Sequence, residues 1–241
     1  MCTHVQVCNL ASSLSPEIKV QIPEIPKGDP HLYSPGPDSI KKYIESELLL
    51  VAPLELNPWA QKIVFIRKKQ NRPTLVLKIE KTSPNIGSEA QAHFWLNPKN
   101  LCETRSQIAQ FLKIENTICL YTEKFKSNIE KLEKMSDQTF VIAHDALSVL
   151  FSMHNIPFLA LQGGGHDHEI GPKTLKALYQ TLKSKNSVIW IEEPPIVFPP
   201  KIKSLVRNSD VVLKINVDGI LGDAPDKILS NFFEQLEEIR K

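Results

Sequence analysis

Short apolar runs of strand character alternate with helical segments through the second half of this chain. The strand-like runs are residues 139–143 (TFVIA), 157–161 (PFLAL), 188–191 (VIWI) and 211–215 (VVLKI). The helical segments are residues 145–154, a stretch that opens at Pro172, residues 202–206 and residues 226–240. Strands that alternate with helices are typical of βαβ units, so this pattern predicts an α/β fold with mainly parallel sheets.

The first half of the chain repeats the alternation less regularly. We predict strands at residues 18–22, 48–52 and 75–79, and a helix at residues 38–45. The length of 241 residues allows one large domain or two small lobes.

A segment almost free of Gly and Pro separates the two halves. Within it, Ile118, Tyr121, Phe125, Ile129 and Leu132 recur at helical spacing. This spacing predicts a helix of about 20 residues and about 30 Å. We therefore predict an N-terminal α/β lobe at residues 1–112, a long rigid connecting helix at 113–137 and a C-terminal α/β lobe at 138–241.

The charge balance argues against two classes of partner. The 29 basic and 27 acidic side chains leave a net charge of +2, which gives no footprint for nucleic acid or an anionic membrane surface. No apolar run reaches the roughly 18 residues of a membrane span, and the N-terminus lacks the pattern of a secretory signal. We expect no nucleic-acid partner, and either a cytoplasmic chain or one whose signal has been removed.

The chain has four cysteines, and none of them forms a C-x-x-C pair. A zinc ribbon or thioredoxin motif is therefore not expected. We expect free thiols, with disulfides Cys2–Cys8 or Cys102–Cys119 as the alternative. Cys2 could also be the cysteine that carries a lipid in a lipoprotein.

Three of the seven histidines occupy strand-end or loop settings that suit ligand binding. They are His31, His93 and His144, and Asp218 follows the predicted strand 211–215 after two residues. In open α/β sheets, ligands bind outside the carboxyl ends of the strands, where His144 and Asp218 are placed. Three imidazoles and one carboxylate complete a tetrahedral shell for Zn²⁺, and the carboxylate also accepts Mn²⁺.

Other interpretations of these polar residues remain open. The four candidate ligands form no compact motif, and each one could be an ordinary polar residue at a strand end. The cluster at residues 163–169 (GGGHDHE) is either an auxiliary metal collector or a solvated loop. We interpret Glu192 and Glu193 as strand-end polar residues rather than as a catalytic carboxylate pair.

Several stretches, in collinear order, resemble the zinc and manganese solute-binding proteins of bacterial ABC transporters. Residues 28–37 (GDPHLYSPGP) resemble the G-x-D-P-H-x-Y-x-P-x-P stretch that carries the family's first metal ligand, and residues 93–98 (HFWLNP) resemble the H-x-W-L-D-P stretch that carries the second. Residues 144–146 (HDA) match the third-ligand turn, and residues 218–219 (DG) lie where members have an acidic ligand. Residues 54–59 (LELNPW) and 169–175 (EIGPKTL) resemble two further stretches of the family.

The resemblance implies two α/β lobes joined by a long rigid helix, with the metal in the cleft between them. His31 and His93 would come from the first lobe, and His144 and Asp218 from the second. The implied function is high-affinity binding of a divalent metal, zinc before manganese, by a monomer that delivers it to a membrane ABC permease. Such a protein is not an enzyme, and it is periplasmic or lipid-anchored outside the cytoplasm.

Two other functions stay open from the sequence. A metal-dependent hydrolase would need an open coordination position and a general base such as Asp145 or Glu193. An adhesin could use the same fold without transport. One departure also bears on the metal: residues 32–92 contain no histidine, so the His-rich loop of many zinc-specific members is absent.

Overall fold

The computed structural model describes residues 1–22, 33–80, 86–87, 90, 93–115, 118–162, 170–194, 196–217, 219 and 222–239. The chain divides into two compact units. The first comprises Met1–Glu80, Ala92–Thr122 and Asp218–Lys227, and the second comprises Lys81–Gln91, Glu123–Val217 and Ile228–Lys241. Each unit contains a parallel sheet with helices, which confirms the predicted α/β class. The lobe boundaries given above stay a prediction.

The first unit contains a two-stranded parallel sheet in which β1 (Leu49–Val51) pairs with β2 (Thr74–Val76). Its helices are α1 (Val5–Ser12), α2 (Pro37–Glu45), α3 (Ala60–Lys69) and α4 (Pro98–Leu112). Helix α3 links the two strands, as a parallel pair requires. Its apolar side packs Ala60 and Ile63 against Tyr43 and the residues of β1.

Two predicted strands of the first unit differ from the structure. Residues 18–22 form no strand, although the carbonyl of Gln21 accepts the backbone N–H of Cys2 at 3.0 Å. Cys2 itself makes a single parallel bridge with Leu50 of β1. The strand predicted at residues 75–79 is β2, which ends earlier, at Val76. Beyond it, the backbone N–H of Lys78 donates to the side-chain oxygen of Gln107 in α4, at 3.0 Å, and so leaves the ladder.

The cysteines form two disulfides, so the expectation of free thiols was wrong. Cys2 is bonded to Cys8 in α1, and Cys102 in α4 is bonded to Cys119. In each pair the Cα atoms lie 5.6 Å apart, a separation that a disulfide spans without backbone distortion. Because its sulfur is bonded to Cys8, Cys2 has no free thiol to carry a lipid in this structure.

The second unit is built on a four-stranded parallel sheet with the order β4-β3-β5-β6. The strands are β3 (Phe140–His144), β4 (Phe158–Gln162), β5 (Ile189–Glu192) and β6 (Val211–Lys214). The accompanying helices are α5 (Tyr121–Glu133), α6 (Ser148–Met153), α7 (Pro172–Ser184), α8 (Pro200–Lys203) and α9 (Lys227–Ile239). All four strands predicted for this half are confirmed. Strands β3 and β5 are buried along their whole length, as continuous apolar runs in parallel sheets usually are.

Helix α5 is shorter than the predicted connecting helix. It has 13 residues, about 20 Å, and begins at Tyr121. Ile118, the first residue of the predicted set, is 85% exposed, so its spacing does not reflect a buried face. Residues 118–120 are not helical, and Cys119 is bonded to Cys102 in α4. The role of α5 as a connector stays a prediction.

A buried aspartate fastens the amino-terminal edge of the second unit's sheet. The carboxylate of Asp210 accepts the indole N–H of Trp190 and the backbone N–H of Val188, both at 3.0 Å. It also accepts Nη2 of Arg207, at 2.8 Å. Burial by itself would raise the pKa of Asp210, but the hydrogen bonds from Arg207, Trp190 and Val188 outweigh it and hold that pKa at about 2.

We expect the substitution Asp210→Asn to lower the free energy of unfolding by about 2 kcal/mol at neutral pH. Because the folded-state pKa lies below the ordinary value of 3.8, this stabilisation is complete above about pH 4. It is lost as the pH falls through about 2, so the gap between wild type and variant should narrow there. Urea unfolding of wild type and variant between about pH 2 and pH 7 measures this difference in the free energy of unfolding. The control is Glu237→Gln, which removes one partner of the exposed ion pair with Lys131. A gap that is constant with pH would contradict this role.

Candidate metal centre

His93 lies in the first unit, at the start of the HFWLNP stretch. It precedes a 3-10 turn, Phe94–Leu96, and its carbonyl accepts the backbone N–H of Leu96 at 3.0 Å. The next residue, Asn97, caps α4, because its side-chain oxygen accepts the backbone N–H of Lys99 at 3.0 Å. Turn and cap together fix the backbone on which His93 is placed.

The side chain of His93 is buried in an aromatic environment. It is 0% exposed, and its ring meets Trp95 edge to face with the centroids 5.2 Å apart. His4 stacks on the same indole at 4.7 Å, while its Nδ1 accepts the backbone N–H of Gln6 and so caps α1. This packing restricts the imidazole of His93 to few orientations, as a ligand that binds without reorganisation requires.

His144 lies in the second unit, as the last residue of β3. This strand is internal to the sheet, between β4 and β5, and all its neighbours run parallel to it. The position therefore lies at the carboxyl edge of the sheet, as the sequence predicts. The residue is 5% exposed.

Glu193 lies directly beside His144. Ile142 pairs with Ile191, and two further steps along the same parallel register bring His144 opposite Glu193. The backbone N–H of His144 donates to Oε2 of Glu193 at 2.8 Å, and Nδ1 of the imidazole lies 3.5 Å from the same oxygen. The carboxylate is buried, with its side chain 0% exposed.

Glu192, the preceding residue, has different surroundings because strand residues alternate between the two faces of a sheet. Its carboxylate pairs with Lys203 at 2.8 Å and with Lys214 at 3.7 Å. Both glutamates lie at the end of β5, as the sequence predicts, but their partners differ. The register of β5 against β3 distinguishes the two glutamates, and no sequence pattern in this chain predicts that register.

The other two candidate ligands, His31 and Asp218, lie outside the described residues, as does the cluster at residues 163–169. His93 and His144 belong to different units. Within the described part of the chain, no group of three or more His, Cys, Asp or Glu side chains is arranged to hold a metal. The four-ligand set is therefore still a prediction.

Comparison with known proteins defines the class to which this fold belongs. The periplasmic zinc-binding protein TroA from Treponema pallidum superposes with a TM-score of 0.77 at 15% identity, over 98% of this chain and 96% of that one. The AdcAII protein of Streptococcus pneumoniae superposes with a TM-score of 0.72 at 17% identity, over 97% of this chain and 96% of that one. The fold is that of metal-type solute-binding proteins.

The sequence comparison agrees with the fold. The family model for ZnuA, the periplasmic zinc-uptake complex component A, matches residues 2–240. This chain belongs to that family, the substrate-binding components of metal ABC transporters. The manganese ABC transporter substrate-binding lipoprotein scaA of Streptococcus gordonii is 26% identical over 244 residues, covering 89% of this chain and 79% of that protein.

Of the helices that the structure describes, none combines the length and the apolar character that a membrane crossing requires.

Proposed function

We propose that this protein captures one divalent metal ion, zinc before manganese, and delivers it to a membrane ABC permease. The proposed ligands are His31, His93, His144 and Asp218. The proposal depends chiefly on His93 and His144, the two candidate ligands that the structure describes. Both side chains are buried; His93 packs against Trp95, and the backbone of His144 is hydrogen-bonded to Glu193. The names of two similar proteins support zinc and manganese as the candidate metals: TroA is named as zinc-binding, and scaA as part of a manganese transporter.

The chemistry of the donor set favours zinc. Imidazole nitrogen is a borderline donor that suits Zn²⁺, whereas Mn²⁺ prefers oxygen ligands. Three imidazoles and one carboxylate close a tetrahedral shell and leave no position for a reactive water. A closed shell suits capture and release of an ion rather than hydrolysis, which needs an open position.

The cysteines support a place outside the cytoplasm. Disulfides persist in oxidising compartments, and this chain has two of them. The relative scaA is named as a lipoprotein. A monomer in the periplasm, or anchored outside the cytoplasm, could collect the ion and dock on its permease.

We expect purified protein to contain one zinc ion per chain, and added zinc to raise its melting temperature. Metal that binds the folded state better than the unfolded chain stabilises it by about 2.7 kcal/mol at a hundred times the dissociation constant. Elemental analysis gives the stoichiometry, and calorimetry with and without a chelator gives the shift. A melting curve that responds neither to zinc nor to the chelator would rule out the proposed capture function. Uptake of radioactive zinc by vesicles that hold the permease then tests delivery.

A further inference from the structure

The carboxylate of Glu193 has no role in the fold comparable to that of its neighbour Glu192. Glu192 is neutralised by two lysines, at 2.8 and 3.7 Å. For Glu193, His144 is the one ion-pair partner found among the described residues. Its second oxygen, Oε1, is buried and has no hydrogen-bond partner within that part of the chain. A buried carboxylate oxygen without a hydrogen bond destabilises the folded protein. The fold alone therefore gives no reason for a glutamate at this position.

The geometry of the pair suits a particular task. A metal-binding histidine usually donates its other ring N–H to a carboxylate, which fixes both the ring and its tautomer. Oε2 of Glu193 accepts the backbone N–H of His144 and lies 3.5 Å from Nδ1 of the same residue. Oε2 of Glu193 therefore faces both the backbone N–H and the imidazole ring of His144. A proton on Nδ1, facing this oxygen, leaves the lone pair of Nε2 free for a metal.

We propose that Glu193 is a positioning residue for the metal site, which holds the imidazole of His144 in the Nδ1–H tautomer. This inference rests on the proposed function, because it assigns His144 as a metal ligand. Glu193 does not bind the ion. Its negative charge makes the imidazole a stronger donor to a divalent cation. The backbone hydrogen bond holds His144 in place, and the charge 3.5 Å from Nδ1 favours a proton on that nitrogen.

The first test measures zinc affinity by competition with a chelator. Glu193→Gln retains the shape and an oxygen acceptor but loses the charge, and we expect it to weaken zinc binding about 10-fold. Glu192→Gln, one residue earlier and also buried, is the matched control, and its zinc affinity should equal that of wild type. An unchanged affinity in Glu193→Gln would overturn the proposal.

A double-mutant cycle separates positioning from direct binding. If Glu193 acts only through His144, Glu193→Gln should change zinc affinity less than about 2-fold in a protein that already carries His144→Ala. A full 10-fold loss in that background would show that Glu193 contacts the ion itself, and would overturn the positioning role.

The second test measures the wild-type protein and uses a substitution only to assign one signal. Imidazole ¹⁵N chemical shifts of the metal-free protein, at about pH 8, report the tautomer of each neutral histidine. We expect the Nδ1–H form for His144, assigned from the signal missing in His144→Gln. The Nε2–H form would overturn the proposal. If the proposed capture function is wrong, the wild-type protein will take up no zinc. The tautomer of His144 can still be measured in that case, so the role of Glu193 is tested separately.

Discussion

Replacing His144 by alanine should weaken zinc binding by at least about 100-fold. A four-ligand zinc site contributes roughly 10–16 kcal/mol, so one ligand accounts for on the order of 3 kcal/mol, which is about two decades of affinity. His93→Ala should have a similar effect, although it removes a ligand from the other unit. Both imidazoles are buried, so a water molecule would replace either of them poorly.

His154→Ala is the control for this experiment. His154 pairs with Glu133 at 2.9 Å, is no predicted ligand, and should keep the zinc affinity of wild type. Isothermal titration against a competing chelator measures all three variants. Wild-type affinity in both His93→Ala and His144→Ala would show that the ligand set is wrong. Loss in only one of them would remove the other residue from the site.

Replacing Arg67 by methionine should destabilise the first unit by about 3 kcal/mol, because it leaves buried carbonyl oxygens without a donor. The guanidinium is 0% exposed, and burial lowers its pKa, as does the nearby charge of Arg72. Its two terminal nitrogens donate to backbone carbonyl oxygens at 2.6 to 2.9 Å, those of Tyr43, Ile44, Ser46 and Pro73. Arg67 thus joins the end of α2 to the start of β2, and its loss leaves these oxygens unsatisfied.

Two variants make this prediction specific. Arg67→Lys should not rescue stability, because an ammonium group has three donors and lacks the planar fork that reaches both segments. Arg72→Met is the control: among the described residues its guanidinium donates to the exposed carbonyl of Glu45, at 2.8 Å, and the loss should stay within about 0.5 kcal/mol. Chemical denaturation in the absence of metal compares the three proteins. Equal losses in the two methionine variants, Arg67→Met and Arg72→Met, would show that burial of Arg67 is irrelevant.

The sheet of the second unit could be predicted from sequence because the local pattern and the fold agree there. Strands β3 and β5 are buried on both faces, so they appear in the sequence as continuous apolar runs such as TFVIA and VIWI. The first unit was less predictable. Its strands have three residues each, residues 18–22 form no strand, and Cys2 makes a single bridge with Leu50 that the sequence did not predict.

Long-range pairings were beyond the sequence, since they depend on distances that only folding creates. The sequence offered the two disulfides only as the alternative to free thiols, because the spacing of the cysteines suggests no motif, and it did not predict that α5 begins as late as Tyr121. The same holds for Glu193. Its neighbour Glu192 has the same charge and an adjacent position, but the register of β5 against β3 puts only Glu193 beside His144.

The sequence by itself determined the α/β class, the strands of the second unit and the family, because these depend on local periodicity and on collinear motifs around His31, His93 and His144. Tertiary structure alone decided which polar groups meet. It paired the cysteines, buried Arg67 against four carbonyl oxygens, and placed the carboxylate of Glu193 within 3.5 Å of an imidazole 49 positions earlier. The physical reason is that backbone register and packing fix such contacts, and neither is encoded in any short stretch of sequence.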